Sequence, residues 1–334
     1  MSCCYSRNLR RYFLCLSVCL LFIFQAAPAV SRIYIDINSP LQKKIPIAIP
    51  SFLDEGNDGA NQSMGKNLAE ILNNALSFSG LFQGLDPAVF LQDPEKMGVK
   101  KEEIKFSEWS FIGADLLVRG SYQIQGEQLG LVIRLFDVIH QKLLLKRIYT
   151  NDLSATRQTI LTFADEMMLH LTGELGIFHT QIAFVGNATD KKEIYLADFD
   201  GSNIRQMTRD HDINLSPAWS PDGKKISYVG YQRGNPDLYT MDLITKVGEP
   251  ISMRPGLNIA PTYSPKGGTL AATLSFTGNP ELYLLDARGE ILKQLTINWS
   301  IDVSPSWAPD GQKLAYVSNR AGKPQIYVLD LATK

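Results

Sequence analysis

A strict 44-residue period governs the C-terminal half of this chain and leaves few folds open to it. Trp219, Tyr263 and Trp307 stand 44 residues apart, as do Tyr195, Tyr239, Tyr283 and Tyr327. Each of those tyrosines is followed three residues later by Asp198, Asp242, Asp286 or Asp330. Ser216 to Leu243, Ala260 to Leu285 and Ser304 to Leu331 align as units, and an earlier unit lacks its opening. Short β-prone runs and turn dipeptides repeated every 40 to 50 residues or so are the pattern of propeller blades, whose apolar faces are buried only by neighbouring units. In the second unit Trp219 closes one strand, Ser220-Pro221-Asp222-Gly223 supplies a turn, and Ile226 to Val229 begins a second strand. Gly234-Asn235-Pro236 then turns the chain into Leu238 to Met241, and a last strand is expected near Pro250 to Met253. An Asp-Gly pair suits a hairpin turn that needs positive φ. The third unit has Lys266-Gly267-Gly268 there, which keeps the glycine.

The first 29 residues have another character. Arg7, Arg10 and Arg11 precede an apolar run from Phe13 to Phe24, and Ala27-Pro28-Ala29 offers small residues for cleavage. This is the layout of a signal peptide. As a helix the run spans about 18 Å, short of the ~30 Å hydrocarbon core, so no membrane span is expected after cleavage. Arg10-Arg11-Tyr12-Phe13-Leu14 resembles a twin-arginine signal, although arginine pairs are common in such leaders and the general secretion route is the expectation. Cys3, Cys4, Cys15 and Cys19 all lie in the leader, which leaves the processed chain without disulfides, thiol chemistry or cysteine metal sites. Loss of the leader removes three arginines and no acid, moving the net charge from −1 to −4. With no basic block, nucleic acid is not an expected partner.

Residues 30–176 show no trace of the period and read as an α/β domain, before repeats that occupy 182–334. Ile33, Ile35 and Ile37 alternate with polar neighbours, and Ile45 to Phe52 continues the alternation, both as strands. Met64, Leu68, Ile71, Leu72, Ala75 and Leu76 place an amphipathic helix between Ser63 and Ser79, stopped by Gly80. Three runs, Asp115 to Gln125, Gln128 to Ile139 and Lys142 to Thr150, read as an antiparallel meander with Leu129, Leu131, Ile133 and Leu135 on one face. A second helix follows Ser154 as N-cap and is expected to end at Gly176.

No nucleophile elbow, zinc-protease motif, phosphate-binding loop or dinucleotide fingerprint occurs. His140, His170, His179 and His211 lack ligand spacing, so no metal or cofactor is expected. Asp198 to Asn203 resembles the start of a calcium loop, but position 209 is Arg where the twelfth-position Glu is needed, and a hairpin turn is the better reading. Trp219 and Trp307 occupy one repeat position and are expected in the blade core.

Arg32-Ile33-Tyr34-Ile35-Asp36, Pro46-Ile47-Ala48-Ile49-Pro50-Ser51-Phe52, Gly113-Ala114-Asp115 and Ser216 to Gly223, taken in this order, resemble the TolB family, periplasmic proteins of the Tol-Pal envelope system. The resemblance implies a six-bladed propeller that binds the lipoprotein Pal and an N-terminal segment that communicates with TolA, with other outer-membrane or envelope proteins as further candidate partners. It implies a non-enzymatic periplasmic protein that maintains outer-membrane integrity and acts in cell division. The alternative is the propeller of a periplasmic hydrolase, oligopeptidase-like, whose catalytic domain is missing. About four of the expected six blades are present, so the chain reads as C-terminally incomplete. The expected Pal site is the set of rim loops leading into the innermost strands: Asn214, Leu215 and Ser216; Asn258, Ile259 and Ala260; Asp302, Val303 and Ser304. Ile259 and Val303 are its expected anchors, with Trp219, Tyr263 and Trp307 buried just beyond. The expected TolA segment is Ser31, Arg32, Ile33, Tyr34, Ile35 and Asp36.

Overall fold

The computed structural model describes residues 44–56 and 62–332. The leader, its cysteines and the Ser31–Asp36 segment lie outside the described residues. The chain divides into two compact units, one through Gly176 and one from Ile177.

In the first unit β1 (Ile45–Ala48), β2 (Leu53–Asp54), α1 (Gln62–Phe78), β3 (Phe82–Gly84) and α2 (Phe106–Phe111) precede the meander β4 (Leu116–Gln125), β5 (Gln128–Asp137) and β6 (Lys142–Asp152), and α3 (Thr156–Thr172) follows. The sheet runs β3-β1-β4-β5-β6, with β1 parallel to both neighbours and β2 paired on β4. The period-2 pattern of β5 is realised: Leu129, Leu131, Ile133 and Leu135 are buried. Leu68, Leu72, Ala75 and Leu76 are buried along α1, which packs on α3. Gly80 at φ 75° ends that turn in a conformation costly for any side chain.

Two expectations at α3 are corrected. The helix ends at Gly173, whose φ of 82° supplies the left-handed C-cap, so Leu175 lies beyond it, 74 % exposed. Ser154 does not cap it, because Leu153–Ala155 form a 3-10 turn that places Ala155 at the boundary. The sequence also hid α2, a single apolar turn whose Phe106 and Trp109 join Ala48, Leu117 and Phe136 in one core cluster. Arg119, inside β4, is fully buried and donates to the backbone carbonyls of Ser51, Pro94, Met97 and Gly98. Burial lowers its pKa to about 10, so it remains a cation at neutral pH and ties the 94–98 loop to the sheet.

Among the described residues the strands of the second unit form four sheets, two of four strands and two of three. β7 (Gln181–Gly186), β8 (Glu193–Asp198) and β9 (Arg205–Gln206) form the first sheet. The second holds β10 (Asn214–Trp219), β11 (Lys225–Gly230), β12 (Asp237–Asp242) and β13 (Gly248–Ser252). The third holds β14 (Asn258–Tyr263), β15 (Thr269–Leu274), β16 (Glu281–Asp286) and β17 (Ile291–Gln294). The fourth holds β18 (Asp302–Trp307), β19 (Lys313–Ser318) and β20 (Gln325–Asp330). The innermost strands β10, β14 and β18 lie side by side. Hairpin turns fall where the Asp-Gly and Gly-Gly pairs predict, with Gly223, Gly267 and Gly311 at φ near 70°. Ser220 Oγ fastens the first of these turns, donating to Asp222 and accepting from Lys225 N at 2.9 Å.

Candidate partner-binding face

The innermost strands begin earlier than the sequence suggested, which moves the candidate site. Asn214 to Ser216, Asn258 to Ala260 and Asp302 to Ser304 are not loops but the first three residues of β10, β14 and β18. Neighbouring strands bring the triplets into adjacent rows. A bulge follows each triplet's middle residue, and the third residues, Ser216, Ala260 and Ser304, take positive φ of 51°, 51° and 57°.

The opening residue of each triplet is withdrawn from any partner. Asn214, Asn258 and Asp302 are fully buried. Asn214 Nδ2 donates to Glu193 and to Asp210 at 3.0 and 2.7 Å. Asn258 Nδ2 donates to the carbonyls of Pro236 and Arg254, and its Oδ1 accepts from Ser252 Oγ at 2.6 Å. Asp302 Oδ2 accepts from Asn298 at 2.7 Å and from Arg320 at 3.0 Å. Asn214 and Asn258 tie the incoming loop to the blade before it through Glu193 and Pro236 O, whereas Asp302 ties its own loop to its own blade through Asn298 and Arg320. Leu215, Ile259 and Val303 are half-buried, and Leu215 and Ile259 pack on the Val229–Leu238–Tyr283 cluster. Charge at Ile259 would therefore disturb packing as well as any contact made there.

Trp219, Tyr263 and Trp307 are half-buried, not buried as expected. Two of them reach back to the preceding blade with a polar atom: Trp307 Nε1 donates to Thr262 O at 3.2 Å, and Tyr263 OH lies 3.1 Å from Thr240 Oγ1. The Asp198 turn is closed by its own bonds, Asp198 N to Ser202 O at 2.9 Å and Asn203 Nδ2 to Asp198 Oδ2 at 2.6 Å, as a hairpin turn between β8 and β9.

The exposed surface at this end belongs to two sets of loops. Residues 207–213, 253–257 and 295–301 enter the innermost strands, and 231–236, 275–280 and 319–324 join the second and third strands of each blade. Hydrogen bonds put the sets on one face: Asn235 Nδ2 to Gly256 O at 2.8 Å, Asn279 Nδ2 to Asn298 O at 3.1 Å, Leu257 N to Ser275 Oγ at 2.7 Å and Ile301 N to Asn319 Oδ1 at 2.8 Å. On that face Trp299 is 100 % exposed and Ile297 78 %, with Met253, Phe276 and Ile301 exposed to a lesser degree. An exposed aromatic set among aliphatic and arginine side chains has the composition of an interface anchor. The signal available in the sequence was Trp299 itself, an aromatic outside the repeat pattern.

A second period-44 set went unread. Glu193, Asp237 and Glu281 open the third strand of successive blades and are fully buried. Thr208 Oγ1 and His211 N both donate to Glu193, and Asn298 N donates to Glu281 Oε1 at 2.7 Å. In the fourth blade the position is Gln325, which is exposed.

Among known proteins, the TolB amino-terminal domain family matches residues 33–144 and the TolB beta propeller domain family residues 168–334. The Tol-Pal system protein TolB of Desulfosudis oleivorans is 39 % identical over 215 residues, 64 % of this chain and 49 % of its own length. That of Syntrophotalea carbinolica is 40 % identical over 216 residues, 65 % of this chain and 49 % of its own. The chain thus spans about half the length of the curated relatives it matches. The crystal structure of TolB from Acinetobacter baumannii superposes with a TM-score of 0.73 at 31 % identity, over 86 % of this chain and 69 % of that one. With both domain types matched in order and a propeller of the same kind, this chain belongs to the TolB family.

Proposed function

We propose that this chain is a non-enzymatic interaction protein of the periplasm, serving the Tol-Pal system by binding Pal through the loop face that carries Trp299. Family membership supports the system, since the relatives are named as its components. The observation that carries the face is the full exposure of Trp299 and the near-full exposure of Ile297 on loops held rigid by hydrogen bonds. A rigid aromatic anchor binds with little loss of side-chain entropy. The segment Ser31–Asp36 is the candidate contact for TolA; deletion of residues 30–36 should weaken TolA binding and leave the blades folded, and unchanged TolA binding refutes that role. Pal's soluble domain, labelled and titrated with this chain, should bind saturably. Absence of saturable binding overturns the reading.

A further inference from the structure

The repeat supplies its own comparison: a stacked or tilted aromatic pair recurs in the first, second and fourth blades, and the residue at the covering position changes from blade to blade, Ala188, Gln232, Phe276 and Arg320 in order. Between the first and second blades lies a cleft of about 360 Å³ lined by Asp210, Tyr228, Gln232 and Tyr239 among others. Tyr228 and Tyr239 stack with centroids 5.6 Å apart and 19° between planes. The fourth blade repeats the pair as Tyr316 and Tyr327, 6.0 Å apart, and there the guanidinium of Arg320 covers it. Arg320 Cζ stands 4.6 Å from the Tyr327 centroid and 5.5 Å from that of Tyr316, and Nη2 donates to Tyr316 OH at 2.8 Å and Asp302 Oδ2 at 3.0 Å. In the third blade Phe276 covers Tyr283 at 5.3 Å. The second blade has Gln232 at that position, and Gln232 turns aside to Asp210.

The counter-charge is retained although its carrier moves. The fourth blade pairs Asn298 with Asp302 at 2.7 Å, and the second pairs Asp210 with Asn214 at 2.7 Å, acid and amide exchanged. Gly248, where the third blade has Leu292, accommodates the Tyr228 hydroxyl, which a Cβ there would meet at 2.7 Å. We propose that this cleft receives a guanidinium group from outside the chain, stacked on Tyr228 and Tyr239 and balanced by Asp210, in the place Arg320 fills in the fourth blade. Cation–π attraction and a nearby carboxylate both act on Arg320, and both are present here, whereas the bond from Arg320 Nε to Ser318 Oγ at 3.0 Å has no counterpart because the second blade has Gly230 there. The Tyr228 hydroxyl is pushed well above its ordinary pKa by burial first, then by Asp210, Tyr239 and Glu193. Arg209 and Lys246 also line the cleft, and Arg233 acts on Tyr239, so an incoming guanidinium meets cations of this chain as well as Asp210.

The test uses N-acetyl-arginine methylamide and its neutral isostere N-acetyl-citrulline methylamide, titrated into the full chain and followed by tyrosine ring resonances. The arginine probe should saturate and bind at least about fivefold tighter than the citrulline probe, the range expected of a cation over a ring pair. Gln232→Arg should abolish probe binding by filling the cleft from within. Tyr228→Ala should weaken binding; because Tyr228 is a core residue, the variant's melting temperature is recorded beside the affinity, and Gln232→Arg, at an exposed position, carries the test if the blade loosens. Equal binding of the two probes, no saturation below 100 mM, or an unchanged affinity in Gln232→Arg would each overturn the site. An arginine-containing peptide binding at least tenfold tighter than the single residue points to a partner's side chain as the source. Equal affinities point to a free small molecule. Neither outcome depends on Pal, so the site and the Pal reading fail separately.

Discussion

Two groups of exposed apolar side chains in the second unit look alike by exposure and differ in origin. Ile326 and Val328 on β20 are 77 % and 65 % exposed; Ile297 and Trp299 on a loop are 78 % and 100 % exposed. The positions equivalent to Ile326, namely Ile194, Leu238 and Leu282, are buried at 1 %, 0 % and 0 %. The positions equivalent to Trp299, namely His211 and Pro255, are exposed. Ile326 is thus a core residue without a covering strand among the described residues, whereas Trp299 stands at a position that the fold leaves open in each loop. Exposure alone does not mark a binding surface. Comparison with equivalent repeat positions separates a blade face from a recognition anchor.

The largest expected effect breaks the first half of that comparison. Leu282→Ala, under the next blade's innermost strand, should cost about 2–5 kcal/mol in urea unfolding, while Ile326→Ala should cost under about 1. Equal costs would mean that β20 is covered in solution. Next in size, Trp307→Phe deletes the bond to Thr262 O and should cost about 1 kcal/mol, the net worth of a hydrogen bond. Trp299→Ala should change unfolding by no more than about 0.5 kcal/mol, as for surface positions without partners.

The smallest effect is local and depends on pH. Hydrogen bonds from Ser220 and then Lys224 N hold the Asp222 carboxyl below its ordinary pKa. A depressed acid contributes stability above the unfolded-state value of 3.8 and loses it as pH falls through the folded value. Amide exchange in the Ser220–Lys225 turn should therefore accelerate below about pH 4 relative to the third blade's turn, which has Lys266 in that place. Parallel acceleration in both turns would assign the change to the whole sheet.

How much of this was legible in the sequence follows from what a period can carry. Trp219, Tyr263 and Trp307 located the innermost strands and the glycine turns located the hairpins, because both depend on local chemistry. Burial depends on the neighbouring blade, so the same pattern could not tell Leu282 from Ile326. Asn214, Asn258 and Asp302 looked like surface polar residues, since their partners are acids, loop carbonyls and, for Asp302, Arg320, up to 22 residues away. The Gln232 cleft required the packed positions of Arg320 and Phe276 before its emptiness of cover had meaning. In the first unit, α2 escaped notice because six residues are too few to show a helical period.

The central claim is that the loop face, not the uncovered β20 face, meets Pal. It is tested by titrating Pal's soluble domain against wild type, Trp299→Ala and Ile326→Asp at one salt concentration. The account predicts that Trp299→Ala weakens binding at least about tenfold with an unchanged melting temperature, as for a central interface anchor, while Ile326→Asp leaves affinity unaltered. Loss of affinity in Ile326→Asp with wild-type affinity in Trp299→Ala would contradict it.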